Sequence, residues 1–265
     1  MLSLAYPAAN RGECARYGFK MTHRVGESGS RRSGLCCAYH LGTVDYGDAY
    51  RLQKRLQQAR SEDLIGDTIL LLDHPPVITL GRRGDKGNVL VPEAFLREQG
   101  IEVYHTDRGG DVTFHNPGQI VAYFIVDVDP LGKSIHQYVR SLEEIVIQAL
   151  ADFHIEGGRD EKHPGVWVGD KKVCALGLQV SRGVSAHGFA LNVNNDLAIA
   201  SYIHPCGLSD RGVTSLRELL SLELGTDRVI AALLRKTERI LGVNVAFYEA
   251  AVRKEQPTKV LSQCP

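Results

Sequence analysis

Residues 108–119 concentrate polar side chains and glycines in a pattern that is typical of the wall of a small-molecule site. The segment reads Arg-Gly-Gly-Asp-Val-Thr-Phe-His-Asn-Pro-Gly-Gln. Adjacent glycines let a backbone pass close to a bound molecule because no Cβ is in the way. The arginine, threonine, histidine and glutamine beside them offer hydrogen-bond donors. A purely structural loop needs none of these groups, so the segment is a candidate binding site.

Three later segments carry further reactive groups. Lys172 and Cys174 follow a Gly-Asp turn, and strand alternation predicts that their side chains share one face. His187 lies in an apolar run, and Cys206 stands between a proline and a glycine, in a turn that would present the thiol. Structural explanations stay open for two of them. The lysine fits a solvated hairpin tip, and the histidine fits a ring satisfied by hydrogen bonds in the core.

A thiol, a lysine and an apolar lining together suit acyl transfer through a thioester. A thiolate attacks a carbonyl carbon, and the thioester that forms keeps the acyl group activated. A neighbouring cation such as Lys172 would lower the pKa of a thiol from its ordinary value of ~8.5. The glycine motifs of phosphate sites and the Gly-x-Ser-x-Gly motif of serine hydrolases are absent from the sequence. Cys206 and His204 are too close together to supply four zinc ligands, and no second pair has ligand spacing, so a metal site is not expected.

The composition limits the class of protein. The chain has 265 residues, of which 43% are hydrophobic, and it carries 31 Lys+Arg against 31 Asp+Glu. This balance argues against nucleic acid as the main partner. No apolar run approaches the ~20 residues that cross a bilayer, so no membrane partner is expected. The six cysteines include no Cys-x-x-Cys pair, which favours free thiols in a reducing cytoplasm.

Short apolar runs alternate with amphipathic segments and predict a mixed fold of the α+β kind. The polar segments come from separate strand regions, so they can converge only if one sheet holds them together. The predicted helices begin at Asp45 and cover 134–153 and 227–241, and the predicted strands cover 69–72, 77–80, 119–126 and three further stretches within 166–193.

The two ends of the chain differ from its middle. The first 35 residues are basic, rich in glycine and serine, and without a hydrophobic period, and Met21 is the only methionine besides Met1. We therefore predict that residues 1–35 form a disordered leader or an over-long start. Residues 36–250 are predicted to form a single catalytic domain, and residues 251–265 a tail.

Taken in order, these segments closely resemble the lipoyl(octanoyl) transferases. The matching text runs over about residues 36–220 and includes Asp-His-Pro-Pro-Val-Ile-Thr-Leu-Gly from Asp73, the 108–119 segment, and Pro-Cys-Gly around Cys206. Further matches are 164–168, 172–177 and 187–192. Asp73 stands where the family usually has glutamate, and Asn116 stands where glycine is common. Asparagine is one of the few residues that tolerate positive φ.

The resemblance implies a fold, an activity and partners. The family fold is α/β, with a mixed sheet flanked by helices like the catalytic domain of biotin and lipoate protein ligases. Its members move an octanoyl group from octanoyl-acyl carrier protein to a lysine of lipoyl domains, which is the first step of endogenous lipoate biosynthesis. The implied partners are that carrier, the lipoyl domains of 2-oxoacid dehydrogenases and the glycine cleavage H protein. The implied location is the cytoplasm, and no cofactor is implied.

The resemblance also implies residue roles. Cys206 matches the nucleophile that carries the acyl group, and Lys172 matches the lysine that lowers the pKa of the thiol and handles protons. The substrate-binding segments of the family match Arg108, Gly109, Gly110, Asp111, Val112, Thr113, Phe114, His115, Ala175, Leu176, Gly177, Gly188, Phe189 and Ala190.

Two rival functions fit part of the same pattern. An ATP-dependent lipoate or biotin protein ligase would have the same fold and a lysine, but it needs an adenylate-binding loop and no catalytic cysteine. A protein that only binds fatty-acyl groups or lipoyl domains would bind the carrier without turnover.

Overall fold

The computed structural model describes residues 34–161, 163–204 and 211–249. Cys206, the predicted tail and nearly all of the predicted leader lie outside these ranges. The helices are α1 Tyr46–Ser61, α2 Glu93–Glu98, α3 Ile135–Ala151, α4 Leu216–Leu220 and α5 Thr226–Leu241. The strands are β1 Leu35–Thr43, β2 Asp67–Asp73, β3 Val77–Leu80, β4 Glu102–His105, β5 Val112–His115, β6 Gln119–Ile125, β7 Gly158–Arg159, β8 Gly165–Val168, β9 Lys171–Ser181, β10 Val184–Asn192 and β11 Asn244–Glu249.

Two sheets organise the described residues. The larger sheet has eight strands in the order β11-β1-β2-β6-β10-β9-β8-β7. Its β11, β1 and β2 run parallel to one another, and the remaining pairs are antiparallel. The smaller sheet has the order β4-β3-β5. The prediction of a mixed α/β fold is therefore confirmed, whereas strand 77–80 belongs to a second sheet that the sequence did not reveal.

Helices cover both faces of the larger sheet. On one face α3 and α5 pack over β1, β2, β6, β9 and β10, and Leu142 and Ile145 of α3 are fully buried there. On the other face α1 packs through Ala49 and Leu56 against β2 and β6. Strands buried on both faces are apolar throughout rather than alternating. This explains the continuous run in β2, where Ile69–Leu72 are all buried.

Local signals determine where two of the predicted helices begin. The Asp45 side chain accepts a hydrogen bond from the Asp48 backbone N–H at 3.1 Å, as expected for an N-cap. Ser134 and Gln137 form a reciprocal capping box at the start of α3. No helix within the described ranges combines the length and apolarity that a membrane span requires.

Glu143 joins α3 to the antiparallel end of the larger sheet. Its fully buried carboxylate accepts the Gly165 backbone N–H at 3.0 Å and pairs with Arg140 at 2.9 Å and Arg159 at 3.3 Å. Removing one partner of a buried ion pair is strongly destabilising, because it leaves the other groups uncompensated. We expect Glu143→Ala to lower the free energy of unfolding by about 3 kcal/mol, as measured by urea denaturation.

The neighbouring Glu144 provides a matched control. It also pairs with Arg159, but its side chain is 32% exposed. Exposed ion pairs contribute little, so Glu144→Ala should cost less than about 1 kcal/mol. Equal losses in the two variants would contradict the role given to Glu143.

Candidate active site

A cavity of about 560 Å³ lies between the 108–115 segment and strands β6, β9 and β10 of the larger sheet. This volume falls in the range of roughly 300–1,000 Å³ that is usual for small-molecule sites. All fourteen residues that the resemblance assigned to substrate binding line this cavity, and so does Lys172. The structure thus brings together three segments that are far apart in the sequence. The α3 residues Ile135 and Val139 add apolar lining from the helix side.

The 108–110 loop approaches the sheet at a glycine. Gly177 of β9 is paired with Gly188 of β10, and the Gly109 N–H donates to the Leu178 carbonyl at 2.8 Å. A Cβ on Gly177 would lie only 2.7 Å from the Gly109 carbonyl oxygen. The close approach that the glycines predicted is therefore first of all an approach of backbone to backbone.

Gly177→Ala tests whether this contact shapes the cavity wall. The added methyl must displace the 108–110 loop, because the atom it meets belongs to the backbone. Small misplacements in a site can cost about 10²-fold in rate, and we expect a loss of that order in kcat/KM for the predicted acyl transfer. Gly158→Ala is the control, since a Cβ there meets nothing within 4 Å. Unchanged kinetics in Gly177→Ala would show that the loop tolerates displacement.

Arg108 stabilises the loop through the smaller sheet. Its Nη2 donates to the Thr79 carbonyl at 2.6 Å, its Nε donates to Thr79 Oγ1 at 3.2 Å, and its Nη1 donates to the Gly109 carbonyl at 3.1 Å. Farther along the loop, Asp111 accepts from the Asn88 side chain at 2.6 Å. These contacts assign Arg108 and Asp111 a part in shaping the wall.

The two departures from the family pattern are accommodated by side-chain hydrogen bonds. Asp73 Oδ2 accepts the Gly118 N–H at 3.2 Å. Asn116 donates to the Asp196 carbonyl at 2.7 Å and accepts from Asn195 at 3.0 Å. Asn116 is not among the residues with positive φ, whereas Gly118 has φ 87°. The left-handed residue of this turn is therefore the glycine two positions later.

Lys172 is buried at one end of the cavity. It is 7% exposed, while Lys171 beside it is exposed, so the interpretation as a solvated hairpin tip is wrong for Lys172. Its Nζ lies 4.8 Å from the centre of the Trp167 ring and 3.5 Å from the Pro164 carbonyl oxygen. Its backbone N–H donates to the Gly212 carbonyl at 3.0 Å. A lysine held this way keeps its ammonium at a defined place.

A second cation shares the Trp167 ring. The Arg211 guanidinium lies 4.0 Å from the ring centre and pairs with Asp160 at 2.5 Å. Arg211 begins the described chain after the segment that contains Cys206. Cations close to a thiol favour its thiolate form, so this end of the cavity has the charge that the predicted chemistry requires.

A β-bulge separates Lys172 from Cys174. Trp167 pairs with Lys172 and Val166 with Cys174, so Val173 is the extra residue on β9. Bulges redirect side chains, and here Val173 and Cys174 both pack in the core. The prediction that Lys172 and Cys174 share one face is therefore wrong. Burial raises the pKa of the Cys174 thiol despite the nearby Lys172, which makes it a poor nucleophile.

Histidines and tyrosines form the other end of the cavity. Tyr46 stacks on His115 at 5.9 Å, and Tyr123 meets His187 edge-on at 6.2 Å between ring centres. His74 lies behind them, with Nδ1 2.6 Å from the Val44 carbonyl oxygen and Nε2 2.7 Å from the Tyr123 hydroxyl. Sequence reasoning missed Tyr46, His74 and Tyr123. The His-Pro-Pro motif was the one available signal, and it was used only for the family resemblance.

His187 has an unusual backbone for a strand residue. Its φ is 60°, its N–H donates to Gln53 Oε1 of α1 at 2.9 Å, and its Nε2 lies 2.9 Å from Asp107 Oδ1. A left-handed conformation at a residue other than glycine costs free energy and persists where surrounding contacts impose it. Asp107 also accepts from the Tyr50 hydroxyl at 3.1 Å and pairs with Lys54. The interpretation of His187 as a hydrogen-bonded buried histidine is thus correct for its Nε2.

Burial of His74 makes the protein sensitive to acid. Desolvation lowers the pKa of His74 from 6.5 to about 4 although the Val44 carbonyl opposes the shift. The unfolded chain therefore binds this proton below about pH 6.5, whereas the folded protein resists it until about pH 4. Stability linked to His74 is complete above pH 6.5 and should fall by about 1.4 kcal/mol per pH unit across that window.

Chemical denaturation of His74→Gln between pH 4 and 7 checks this expectation. For the parent protein the free energy of unfolding should fall between pH 6.5 and pH 4, and in the variant this slope should be smaller by the contribution of one proton. His105→Gln should keep the slope of the parent, since His105 is exposed on β4. An unchanged slope in His74→Gln would contradict the effect of burial.

Comparison with known proteins places this site in a family. Residues 45–238 match the model of the lipoyl protein ligase A/B catalytic domain. The chain belongs to this family. Curated relatives named "Octanoyltransferase" include that of Desulforamulus reducens, 44% identical over 201 residues, which are 76% of this chain and 88% of the relative. That of Caldicellulosiruptor bescii is 49% identical over 193 residues, which are 72% and 85% of the two chains. The predicted family resemblance is confirmed.

Solved structures support the same fold. A crystal structure of lipoate-protein ligase A bound with ATP matches with a TM-score of 0.63 at 15% identity, over 82% of this chain and 89% of that one. A crystal structure of P. falciparum LipL1 with lipoate matches with a TM-score of 0.64 at 15% identity, over 80% and 66% of the two chains. At such low identity these matches establish the architecture alone. They confirm the prediction of a sheet and helices arranged as in lipoate ligases.

Proposed function

We propose that this chain transfers an octanoyl group to a lysine of lipoyl domains through an acyl-thioester on Cys206. The observation that carries the proposal is the buried Lys172 in the wall of a largely apolar cavity, which is also lined by all fourteen residues that match the family's substrate-binding segments. Relatives that are 44% and 49% identical are named for octanoyl transfer, and this supports an acyltransferase over the ligase alternative.

The reaction proceeds in two displacement steps. The Cys206 thiolate attacks the carbonyl carbon of an octanoyl thioester, the carrier thiolate leaves with a proton from the Lys172 ammonium, and octanoyl-Cys206 remains. The amine of a lipoyl-domain lysine then attacks this thioester, and an amide forms as the Cys206 thiolate is released. Lys172 accepts the proton that the attacking amine loses. The thioester supplies the driving force, so no ATP, metal or cofactor enters either step.

Each part of the cavity has a role in this proposal. The apolar side chains Val112, Phe114, Leu176, Phe189 and Ala190 contact the acyl chain. Gly109, Gly177 and Gly188 allow the close backbone contacts that shape the wall, and Gly110 allows its left-handed turn. Arg108, Asp111, Thr113, His115 and Ala175 complete the wall.

The proposed partners follow from the two half-reactions. The donor is octanoyl-acyl carrier protein, and the acceptors are the lipoyl domains of 2-oxoacid dehydrogenases and the glycine cleavage H protein. The proposed location is the cytoplasm, where free thiols persist.

The test is a transfer assay with octanoyl-acyl carrier protein and an apo lipoyl domain. The expected product is a lipoyl domain that is heavier by one octanoyl group, formed equally well with and without an ATP-degrading enzyme. Octanoylation of the domain from free octanoate, only in the presence of ATP, would instead support the ligase. Tight carrier binding with no product would support a binding protein.

A further inference from the structure

Two histidine rings in the cavity wall each have one nitrogen with a known partner and one without. His115 and His187 both line the cavity and are only 6% and 2% exposed. Among residues 34–161, 163–204 and 211–249, His115 Nε2 and His187 Nδ1 have no hydrogen-bond partner. These nitrogens either donate or accept hydrogen bonds, and this property determines which polar groups of a ligand the cavity can bind in addition to an alkyl chain.

A chain of side-chain amides fixes the proton of His115. Asn192 Nδ2 donates to the Thr214 carbonyl at 3.0 Å, so Asn192 Oδ1 is the acceptor for Gln119 Nε2 at 2.9 Å. Gln119 Oε1 is then left as the acceptor for His115 Nδ1 at 2.8 Å. His115 Nδ1 therefore carries the hydrogen, and a neutral ring has its lone pair on Nε2.

A carboxylate fixes the proton of His187. Asp107 Oδ1 lies 2.9 Å from Nε2, and an ionised carboxylate only accepts hydrogen bonds. Burial opposes ionisation of Asp107, but hydrogen bonds from His187 and Lys54 outweigh it and hold the pKa of Asp107 well below its usual range. His187 Nε2 is thus the donor, and its Nδ1 carries the lone pair.

Both rings are neutral at physiological pH. Burial lowers the pKa of His115 well below its ordinary value, and the nearby His74 and Arg108 lower it further. Burial also lowers the pKa of His187, although Asp107 opposes that shift. The cavity wall therefore presents two hydrogen-bond acceptors. Acceptors shut away from water by an alkyl chain are costly when they stay unpaired.

We propose that His115 Nε2 and His187 Nδ1 form a polar subsite that accepts a hydroxyl group on the acyl chain, so that this protein binds medium-chain acyl groups that carry a hydroxyl. The inference deepens the proposed function, because it names a further substrate class for the same cavity. An all-apolar cavity would discriminate against such chains, since their hydroxyl would be buried without a partner. A ring nitrogen that accepts the hydroxyl hydrogen reverses that discrimination.

Binding of free acids tests the subsite independently of turnover. Isothermal titration calorimetry would compare octanoate with its hydroxyoctanoates, one for each position from carbon 3 to carbon 8. We expect at least one isomer to bind as tightly as octanoate or up to about tenfold tighter, which corresponds to one hydrogen bond. The proposal is overturned when every isomer binds more weakly than octanoate, as it would if ordered water alone satisfies the two nitrogens.

The ring nitrogens report the contact directly. In protein with ¹⁵N-labelled histidine, the bound hydroxy isomer should shift the resonance of His115 Nε2 or His187 Nδ1, whereas octanoate should not. At least one of the variants His115→Phe and His187→Phe should weaken binding of the hydroxy isomer relative to octanoate, and His136→Phe, at an exposed position on α3, should not. Equal effects of all three variants would overturn the assignment. Because these measurements need no catalysis, absence of transfer would contradict the proposed function and leave this test valid.

Discussion

Lys172→Met is expected to slow octanoyl transfer by about 10²–10⁴-fold, the range typical for loss of a group that moves a proton in the transition state. Methionine is unbranched like lysine and can place its thioether against the Trp167 ring, whose centre lies 4.8 Å from the lysine Nζ. In the proposed mechanism it removes the cation that favours the Cys206 thiolate and the base that accepts the proton of the incoming amine. The fold should survive, because a methionine side chain fills the space of the lysine stem beside Trp167.

Stopped-flow or quenched single-turnover measurements should locate the defect in both half-reactions. Formation of octanoyl-enzyme should slow because less thiolate is present at neutral pH, and raising the pH should partly restore it. Lys171→Met is the control, since this side chain is exposed beside the same strand position. Normal rates of Lys172→Met at neutral pH would contradict the catalytic role of the lysine and indicate a structural role only.

Cys206→Ala is expected to abolish the covalent intermediate and to reduce transfer by about 10⁴-fold or more, as for other nucleophile deletions. After mixing with octanoyl-acyl carrier protein, intact-protein mass spectrometry should find a mass increase of one octanoyl group on the parent protein and none on the variant. Cys206→Ser would give a weaker nucleophile and a more stable ester, so slow accumulation of an adduct without transfer is expected there.

Cys174→Ala is the matched control for the thiol chemistry. Cys174 is fully buried in the core, and burial raises the pKa of its thiol. This variant should still form the adduct on Cys206 and transfer the octanoyl group. Adduct formation in Cys206→Ala but not in Cys174→Ala would reverse the assignment of the two cysteines.

Local patterns in the sequence predicted much of the larger sheet and its helices. The cap at Asp45 and the apolar period of α3 act within a few residues, and so they are visible without tertiary information. The sequence did not reveal the division into two sheets. Strand β3 follows β2 after a short turn, yet it pairs with β4 and β5, and nothing in its apolar residues distinguishes the two partners.

The sequence predicted which segments line the candidate site, but it did not predict the directions of their side chains or the contacts between distant residues. Family motifs identified the loop, β9 and β10, which all border the cavity. The prediction from strand alternation was wrong at Val173, because this extra residue of the bulge reverses the direction of the side chains that follow it. Asp107 and Tyr46 were missed because their contacts with His187 and His115 join distant parts of the chain.

The pairing of the first strand with the last has a consequence for biosynthesis. Leu35 of β1 lies opposite Asn244 of β11, so β1 becomes an interior strand of the larger sheet only when β11 is available. Until then β1 is an exposed edge, and unpaired edges invite association with other chains. A ribosome-bound chain that already holds the cavity strands still has this edge open. Shielding by chaperones during synthesis should therefore matter most in the interval before β11 emerges.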